Sequence, residues 1–269
     1  MSAIDTMFQS LRAQNQKAFL PFVTAGDPDL QTTVAVVDAL RKCGANACEI
    51  GVPYSDPIAD GPVIQASYQR ALEAGFKLPQ LFELGKMLSA KQGPQLPMPM
   101  ITMVSYSIIH RTGMQKYVEA AIEAGYSGAI VPDLLVEEAR PLVEVCRQAD
   151  FSLIQLVTPT TPRDRQVAIA ELSSGFLYFV SVTGITGERS RLADGLLESV
   201  DWLRHQTTLP ICIGFGVSNA ETAKAIAPVA DGVIVGSAIV KRIAAAADQS
   251  SAIASLTTFA REIIDAIRV

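Results

Sequence analysis

The chain has 269 residues, of which 49% are hydrophobic and 18% charged, and its formal net charge at pH 7 is −5. This composition excludes a disordered chain, because it supplies enough apolar side chains for a sizeable core. The acidic balance, without an Arg-rich arm, also argues against a nucleic-acid partner. The length permits one large α/β domain or two smaller ones.

The sequence predicts no membrane span, metal site or disulfide. The longest charge-free stretch, residues 92–110, is interrupted near its start by a glycine and prolines, whereas a spanning helix needs about 20 predominantly apolar residues. The first 16 residues predict a short amphipathic helix and not a secretory signal. Four cysteines without CxxC spacing are typical of reduced core residues, and two isolated histidines do not make a zinc site. We expect a cytoplasmic protein, or one of the plastid stroma if this is a mature plant chain.

Eight short apolar runs alternate with amphipathic, helix-like stretches along the chain. Most runs are continuously apolar, as in parallel strands that are buried on both faces. Several intervening stretches, such as residues 30–44 and 113–125, have the glycine or polar boundary residues of capped helices. The apolar runs span residues 18–24, 46–52, 99–105, 127–133, 151–157, 176–182, 209–215 and 231–237.

Eight strand-plus-helix units in about 250 residues predict a (β/α)₈ barrel. A doubly wound sheet is the alternative, but it usually has fewer strands, and its G-x-G-x-x-G fingerprint after the first strand is absent. No linker divides the chain, so we predict a single TIM-barrel domain over residues 1–269 with an extra N-terminal helix. Catalytic groups are then expected at the carboxyl ends of the strands and in the loops that follow them.

Glu49 is a charged residue inside the second apolar run. A carboxylate buried without partners costs several kcal/mol, or it takes up a proton through a raised pKa. A catalytic role is therefore favoured over a structural ion pair or a surface position. Asp60 follows 11 residues later, after the proline-rich loop that begins at residue 51. Two carboxyl groups in one cleft suit acid–base catalysis, although a turn or helix-capping role is equally open for Asp60.

Glycine-rich loops follow the last three predicted strands, at residues 183–188, 214–219 and 235–241. Barrels often bind phosphate with the loops after strands 7 and 8 and the N-terminus of a short extra helix. Residues 183–195 have the composition of a mobile lid, with an ordinary solvated loop as the alternative. Tyr178, inside the sixth predicted strand, is either a core residue or a wall of the pocket. No lysine lies within a strand run, which disfavours a Schiff-base aldolase.

Five segments resemble the tryptophan synthase alpha subunit family in order and spacing. They are PFVTAGDP (21–28), EIGVPYSDPIADGPVIQ (49–65), GITG (184–187), GFGVS (214–218) and VGSAIVK (235–241). The resemblance implies a (β/α)₈ barrel that cleaves indole-3-glycerol phosphate to indole and glyceraldehyde 3-phosphate. It further implies an α₂β₂ complex in which indole passes to a beta subunit. No metal or cofactor is implied for this chain, since pyridoxal phosphate belongs to the beta partner.

The resemblance also implies roles for individual residues. Glu49 matches the catalytic glutamate, which protonates C3 of the indole ring and takes the proton of the glycerol hydroxyl. Asp60 matches the aspartate that contacts the indole N–H, and Tyr178 matches a tyrosine near the catalytic glutamate. The other matched positions are Phe22 and Ile64 in the indole pocket, Thr186 in the lid, Gly187, Phe215, Gly216, Gly236 and Ser237 at the phosphate, and Pro53 and Asp56 at the beta subunit.

Two segments depart from the family pattern. The usual Tyr-Tyr-Asn-Pro sequence after the third strand is replaced by VSYSIIHRTG (104–113), and Leu135 replaces a proline after the fourth strand. Both lie on the face where the family meets its beta subunit, so a stand-alone lyase that releases free indole is an alternative. The sequence also leaves open a weakly active subunit that mainly regulates its partner, and a different phosphate-binding barrel, such as an isomerase of the same pathway.

Overall fold

Nine parallel strands lie in the part of the chain that the computed structural model describes, which is residues 2–58, 60–92, 97–180, 189–214 and 216–268. All eight predicted strands are present, and the fifth is interrupted at Gln155. The strands are β1 (Ala18–Thr24), β2 (Cys48–Gly51), β3 (Met100–Met103), β4 (Tyr126–Ile130), β5 (Ser152–Ile154), β6 (Leu156–Val157), β7 (Leu177–Val180), β8 (Ile211–Gly214) and β9 (Gly232–Val235).

One helix precedes the first strand, and one or two helices follow every strand except β5. They are α1 (Ala3–Ala13), α2 (Leu30–Cys43), α3 (Pro62–Glu73), α4 (Leu78–Gln92), α5 (Tyr106–Thr112), α6 (Met114–Glu123), α7 (Arg140–Gln148), α8 (Arg163–Leu172), α9 (Arg189–Arg204), α10 (Ala220–Ile226), α11 (Ser237–Ala245) and α12 (Gln249–Ile267). A 3₁₀-helix at Val136–Glu138 precedes α7.

The sheet is the predicted (β/α)₈ barrel. Its strand order is β5-β4-β3-β2-β1-β9-β8-β7-β6, and every pairing is parallel. Since β5 and β6 are consecutive pieces of one strand, the two ends of this order meet. The strands predicted as sixth, seventh and eighth are therefore β7, β8 and β9. The extra N-terminal helix is α1, and the short helix after the last barrel strand is α11.

Local sequence signals set the helix boundaries. The Asp29 side chain accepts a hydrogen bond from the Thr32 N–H at 2.7 Å and begins α2, and Gly44, with φ +104°, ends it. The segment predicted as a lid or a solvated loop, residues 183–195, is helical from Arg189 onward, where α9 begins, so Arg189 and Ser190 lie in the first turn of a helix and not in a loop. Residues 183–188 lie outside the described residues.

Side chains alternate between the inside and the outside of the barrel. In β2, Cys48 and Ile50 pack in the outer layer beneath the helices, whereas Ala47 belongs to the inner cluster. Because alternate residues of a strand face the same side, Glu49 and Gly51 face the barrel interior as Ala47 does. Other strand residues whose side chains fill the barrel are Ala18, Leu20, Phe22, Ile101, Ile130, Ile154, Tyr178, Cys212 and Ile234.

The amino-terminal end of the barrel is covered by α1. Ile4, Phe8 and Leu11 form its apolar face and pack into the inner cluster, with the rings of Phe8 and Phe176 5.9 Å apart. Access to the barrel interior is therefore from the carboxyl end. Among the described residues, no helix is long and apolar enough to cross a membrane, and no group of three or more His, Cys, Asp or Glu side chains is arranged to hold a metal ion.

Candidate active site

Glu49 lies in the interior of the barrel with none of its surface exposed. In the parallel register its neighbours are Phe22 on β1 and Ile101 on β3, both apolar. Neither carboxyl oxygen of Glu49 has a hydrogen-bond partner among the described residues, and burial raises its pKa well above the ordinary value. The burial excludes a surface position, and no described residue forms an ion pair with Glu49, so the protonated form of this buried acid is favoured.

Gly51 lies one inward position beyond Glu49 and leaves space for two aromatic side chains. A Cβ atom at residue 51 would lie 2.9 Å from the Tyr68 hydroxyl oxygen and closer still to the Phe22 ring. Ile64, one helical turn before Tyr68 on α3, is 8% exposed and joins the same inner cluster. The two predicted pocket walls, Phe22 and Ile64, are thus brought together at the carboxyl end of the barrel near Glu49.

Asp60 lies at the end of the loop after β2 and is partly buried. Burial, together with the negative charge of Asp133, raises its pKa to about 6. The helix-capping alternative does not hold, because the N-cap of α3 is Gly61 and makes no side-chain capping bond. The Asp60 backbone carbonyl instead accepts a hydrogen bond from Gln65 Nε2 at 2.7 Å, which ties the loop to α3.

Asp133 comes from the loop after β4 and is fixed by the loop after β3. Its carboxylate accepts hydrogen bonds from Ser105 Oγ and from the Tyr106 N–H, each at 2.7 Å. A cleft of about 520 Å³ opens beside it between the loops after β2, β3 and β4, with Tyr54 and Asp56 on its opposite side. Both segments that depart from the family pattern therefore contribute to one cleft next to the catalytic face.

Tyr178 is a wall of the barrel interior, 3% exposed, and pairs in register with Cys212 on β8. Its ring occupies the space that a side chain at Gly214 would take. Burial raises the pKa of Tyr178 well above 10, and the negative charge of Glu49, when that group is ionised, adds to this effect. The tyrosine therefore keeps its proton and lies within electrostatic reach of Glu49.

The predicted phosphate positions lie around the N-terminus of α11. Gly236 is the N-cap, and Ser237 is the first residue of this nine-residue helix. The nearest atom that a Cβ at Gly236 would meet belongs to Phe22, at the ordinary contact distance of 3.6 Å, so the packing of the described residues does not require glycine there. Gly216, in the loop after β8, has φ +79°, a conformation that favours glycine. Thr186, Gly187 and Phe215 lie outside the described residues.

The two residues predicted to contact a partner differ in exposure. Asp56 is exposed and accepts a hydrogen bond from Ser55 Oγ at 2.6 Å, whereas Pro53 is buried within the chain. Two large apolar side chains on the same face are open to solvent, Ile58 at 90% and Leu135 at 55%. An exposed apolar rim of this kind is typical of a protein interaction surface.

The sequence model of the tryptophan synthase alpha chain family matches residues 8–268. The chain belongs to the tryptophan synthase alpha chain family. It is 64% identical to the tryptophan synthase alpha chain of Rhodopirellula baltica over 251 residues, which are 93% of this chain and 90% of that one. The crystal structure of tryptophan synthase subunit alpha from Legionella pneumophila superposes with a TM-score of 0.91 at 31% identity, covering 99% of this chain and 98% of the other.

The alpha chain of Geotalea uraniireducens is also similar, with 45% identity over 90% of this chain and 89% of its own length. Family membership confirms the predicted activity, that of a carbon–carbon lyase that cleaves indole-3-glycerol phosphate and passes indole to a beta subunit. An isomerase on the same barrel is excluded by it.

Two residues of the site were not predicted from the sequence. Asp133 is the last residue of the fourth predicted strand, and strand ends are where catalytic residues of a barrel are expected. Tyr68 shares a helix face with Ile64 at a spacing of four residues, but a helical pattern does not reveal which tyrosine reaches the barrel interior.

Proposed function

We propose that Glu49 and Asp60 of this chain carry out the cleavage of indole-3-glycerol phosphate. The observation that supports this most is the position of Glu49, fully buried inside the barrel with neither carboxyl oxygen bonded to a described residue. Burial favours the protonated form of such an acid, and that proton can be delivered to a carbon atom of a bound substrate.

The proposed reaction needs two proton transfers and one bond cleavage. Glu49 gives its proton to C3 of the indole ring, and the ring nitrogen becomes positively charged. The resulting Glu49 carboxylate takes the proton of the glycerol hydroxyl next to the ring. The bond between C3 and the glycerol carbon then breaks, its electron pair returns to the ring, and indole and glyceraldehyde 3-phosphate are formed. Glu49 ends protonated, as it began.

Asp60 is proposed to stabilise the positive charge at the ring nitrogen. With a pKa of about 6, Asp60 is mostly ionised at neutral pH, whereas complete burial raises the pKa of Glu49 well above its ordinary value. Two carboxyl groups with separated pKa values suit an acid and an electrostatic stabiliser in one site. Tyr178 is proposed to complete the wall beside Glu49.

Substrate binding is proposed to use the two ends of the pocket differently. Phe22 and Ile64 supply an apolar slot for the indole ring. Backbone N–H groups at Gly236 and Ser237 and the dipole of α11 suit the phosphate group. The remaining predicted positions, Thr186, Gly187, Phe215 and Gly216, belong to the same proposal.

Glu49 accounts for both proton transfers and Asp60 for the charge at the ring nitrogen, so we propose that the chain needs no cofactor for this step. The proposed partner is a beta subunit in an α₂β₂ complex, and the exposed side chains of Ile58 and Leu135 support a docking surface on the catalytic face. We also propose a cytoplasmic location, since the relatives named above are bacterial proteins.

The deciding experiment measures indole release from indole-3-glycerol phosphate by the purified chain, alone and with its cognate beta subunit. We expect slow turnover alone and a sharp rise with the partner. Glu49→Gln and Asp60→Asn should each lose at least about 100-fold in rate while still binding glyceraldehyde 3-phosphate. Near-normal activity of Glu49→Gln would overturn the mechanism. Fast turnover that ignores the partner would instead identify a stand-alone lyase.

A further inference from the structure

Tyr68 is a helix residue whose side chain reaches the interior of the barrel. It lies on α3, is 1% exposed and packs in the inner cluster with Phe22, Ile64 and Tyr178, not in the layer between strands and helices. Its ring also packs against Tyr54 of the loop after β2, with ring centres 5.8 Å apart. Tyr68 therefore joins the helix, the catalytic loop and the barrel interior.

The hydroxyl group of Tyr68 is directed at the strand that carries Glu49. Its oxygen lies 2.9 Å from the position that a Cβ of Gly51 would occupy. Gly51 is the next inward position after Glu49, about 6.6 Å further along the strand. Because Gly51 has no side chain, nothing from β2 stands between this hydroxyl and the space above the Glu49 carboxyl group.

Polar contacts hold α3 in this position. Ser67 directly precedes Tyr68 in the sequence. A buried hydrogen bond of 2.7 Å joins its Oγ to Oγ1 of Thr24 and so links α3 to β1. Two residues beyond Tyr68, the Arg70 side chain donates to both oxygens of the buried Asp27, at 2.9 and 2.6 Å. Anchors on both sides of Tyr68 hold α3 in place, so a new hydrogen bond from this hydroxyl needs side-chain rotation and no movement of the helix.

The acid–base reaction leaves a buried negative charge on Glu49, which a hydrogen-bond donor such as this hydroxyl can stabilise. After Glu49 has given up its proton, a carboxylate remains in a site where no described residue forms a hydrogen bond with either oxygen. An unpaired buried charge is costly, and a charge-assisted hydrogen bond offsets much of that cost. Burial, with smaller effects from Asp60, Tyr54 and Glu49, raises the pKa of Tyr68 well above 10, so it remains a donor at working pH.

We propose that Tyr68 is a positioning residue that donates a hydrogen bond to the Glu49 carboxylate once Glu49 has lost its proton. Tyr68 keeps its own proton throughout, so the reaction gains no additional transfer step. Its effect is to stabilise the ionised state of Glu49 and to fix the orientation in which Glu49 receives the proton of the glycerol hydroxyl. This inference rests on the proposed acid–base role of Glu49.

The test compares Tyr68→Phe with Tyr117→Phe in the complex with the beta subunit. Tyr117 is a matched control, because it is also fully buried and donates a 3.0 Å hydrogen bond to Thr102 Oγ1, but it lies in the outer layer. For Tyr68→Phe we expect kcat to fall about 10- to 100-fold, the loss of one hydrogen bond to a charge, with KM changed less than about threefold. In the pH profile of kcat, the limb that reflects the ionisation of Glu49 should move to higher pH by about one unit or more. Tyr117→Phe should keep the wild-type kcat and pH profile.

A second readout does not depend on turnover. The infrared band of the Glu49 carboxyl group, identified by its loss in Glu49→Gln, should titrate at higher pH in Tyr68→Phe than in the wild type. An unchanged band and pH profile would overturn the inference, as would a rise in KM with normal kcat, which marks a substrate contact instead. Failure of the proposed function is distinguishable, because it would appear as normal turnover in Glu49→Gln.

Discussion

Asp60 lies within electrostatic reach of Asp133, whose negative charge adds to burial in raising the pKa of Asp60 to about 6. Asp133 is itself fixed by hydrogen bonds from Ser105 Oγ and the Tyr106 N–H. The loop after β3, which departs from the family pattern, therefore acts on the catalytic face through a neighbouring loop. Its unusual sequence holds a carboxylate whose charge opposes ionisation of Asp60.

Replacing Asp133 should change the pH dependence of cleavage. If ionised Asp60 is required, kcat/KM of the wild type falls as the pH drops through about 6. Asp133→Asn removes the opposing charge and lowers the pKa of Asp60, so the acidic limb should move to lower pH. Profiles of kcat/KM between pH 4.5 and 8 measure this shift. Asp265→Asn, at an exposed site on α12, is the charge-matched control, and an equal shift there would contradict the argument.

Glu49 should make the stability of the chain depend on pH. Its folded-state pKa is raised above the ordinary value of 4.5, so the folded state binds the proton more tightly than the unfolded chain does. This contribution is fully present below pH 4.5 and is lost as pH rises towards the folded-state pKa. Glu49→Gln removes the effect, because glutamine stays neutral.

Urea unfolding of the wild type and Glu49→Gln at several pH values checks this expectation. The stability of the variant relative to the wild type should grow above pH 4.5 by up to about 1.4 kcal/mol per pH unit. A constant difference between pH 5 and 8 would mean that the pKa of Glu49 is not raised in the folded state.

The sequence predicts those features of the structure that are set by neighbouring residues, and it does not predict those that are set by packing between distant residues. Continuous apolar runs predicted the eight barrel strands. Glu49 was predicted as a site residue because a charged side chain inside an apolar run is visible in the local sequence. The break at Gln155 and the start of α9 at Arg189 were missed, since neither residue carries a strong boundary signal. Tyr68 was beyond prediction, because its place in the barrel is set by how α3 packs and by the absence of a side chain at Gly51.

Gly236 should be needed by the substrate and not by the fold. A Cβ at this position would make only an ordinary contact with Phe22, at 3.6 Å, so Gly236→Ala should unfold within about 1 kcal/mol of the wild type. If the phosphate binds against this backbone, the added methyl group should raise KM about 10-fold with little change in kcat. Steady-state kinetics and the protection of each variant by inorganic phosphate against thermal unfolding test both parts.

The matched change for Gly236→Ala is Ser255→Ala, at an exposed site on α12, which should leave KM unaltered. A wild-type KM for Gly236→Ala would remove this residue from the phosphate site. A large loss of stability would show that the glycine serves the fold instead.

Gly51, unlike Gly236, should be needed by the fold, because neighbouring side chains occupy the space that a Cβ would take. A Cβ there would come within 2.9 Å of the Tyr68 hydroxyl oxygen and nearer still to the Phe22 ring. Gly51→Ala should therefore destabilise the chain by about 1–3 kcal/mol and lower kcat, since both rings must shift. Unfolding by urea and steady-state kinetics on the same preparation measure the two effects. Normal stability with normal kcat would mean that the pocket repacks freely around an added methyl group.

Leu135 should contribute to docking of the beta subunit. Its side chain is 55% exposed on the carboxyl face of the barrel, in the loop after β4 that also holds Asp133. Covering such a side chain is worth about 1–2 kcal/mol, so Leu135→Ser should weaken the complex about 10-fold while the isolated chain unfolds at the wild-type urea concentration. Titration calorimetry with the beta subunit gives the dissociation constant. Ile122→Ser is the control, because Ile122 is 41% exposed on α6 at the outer surface. If both variants bind the beta subunit equally well, the apolar rim around Leu135 is not part of the interface.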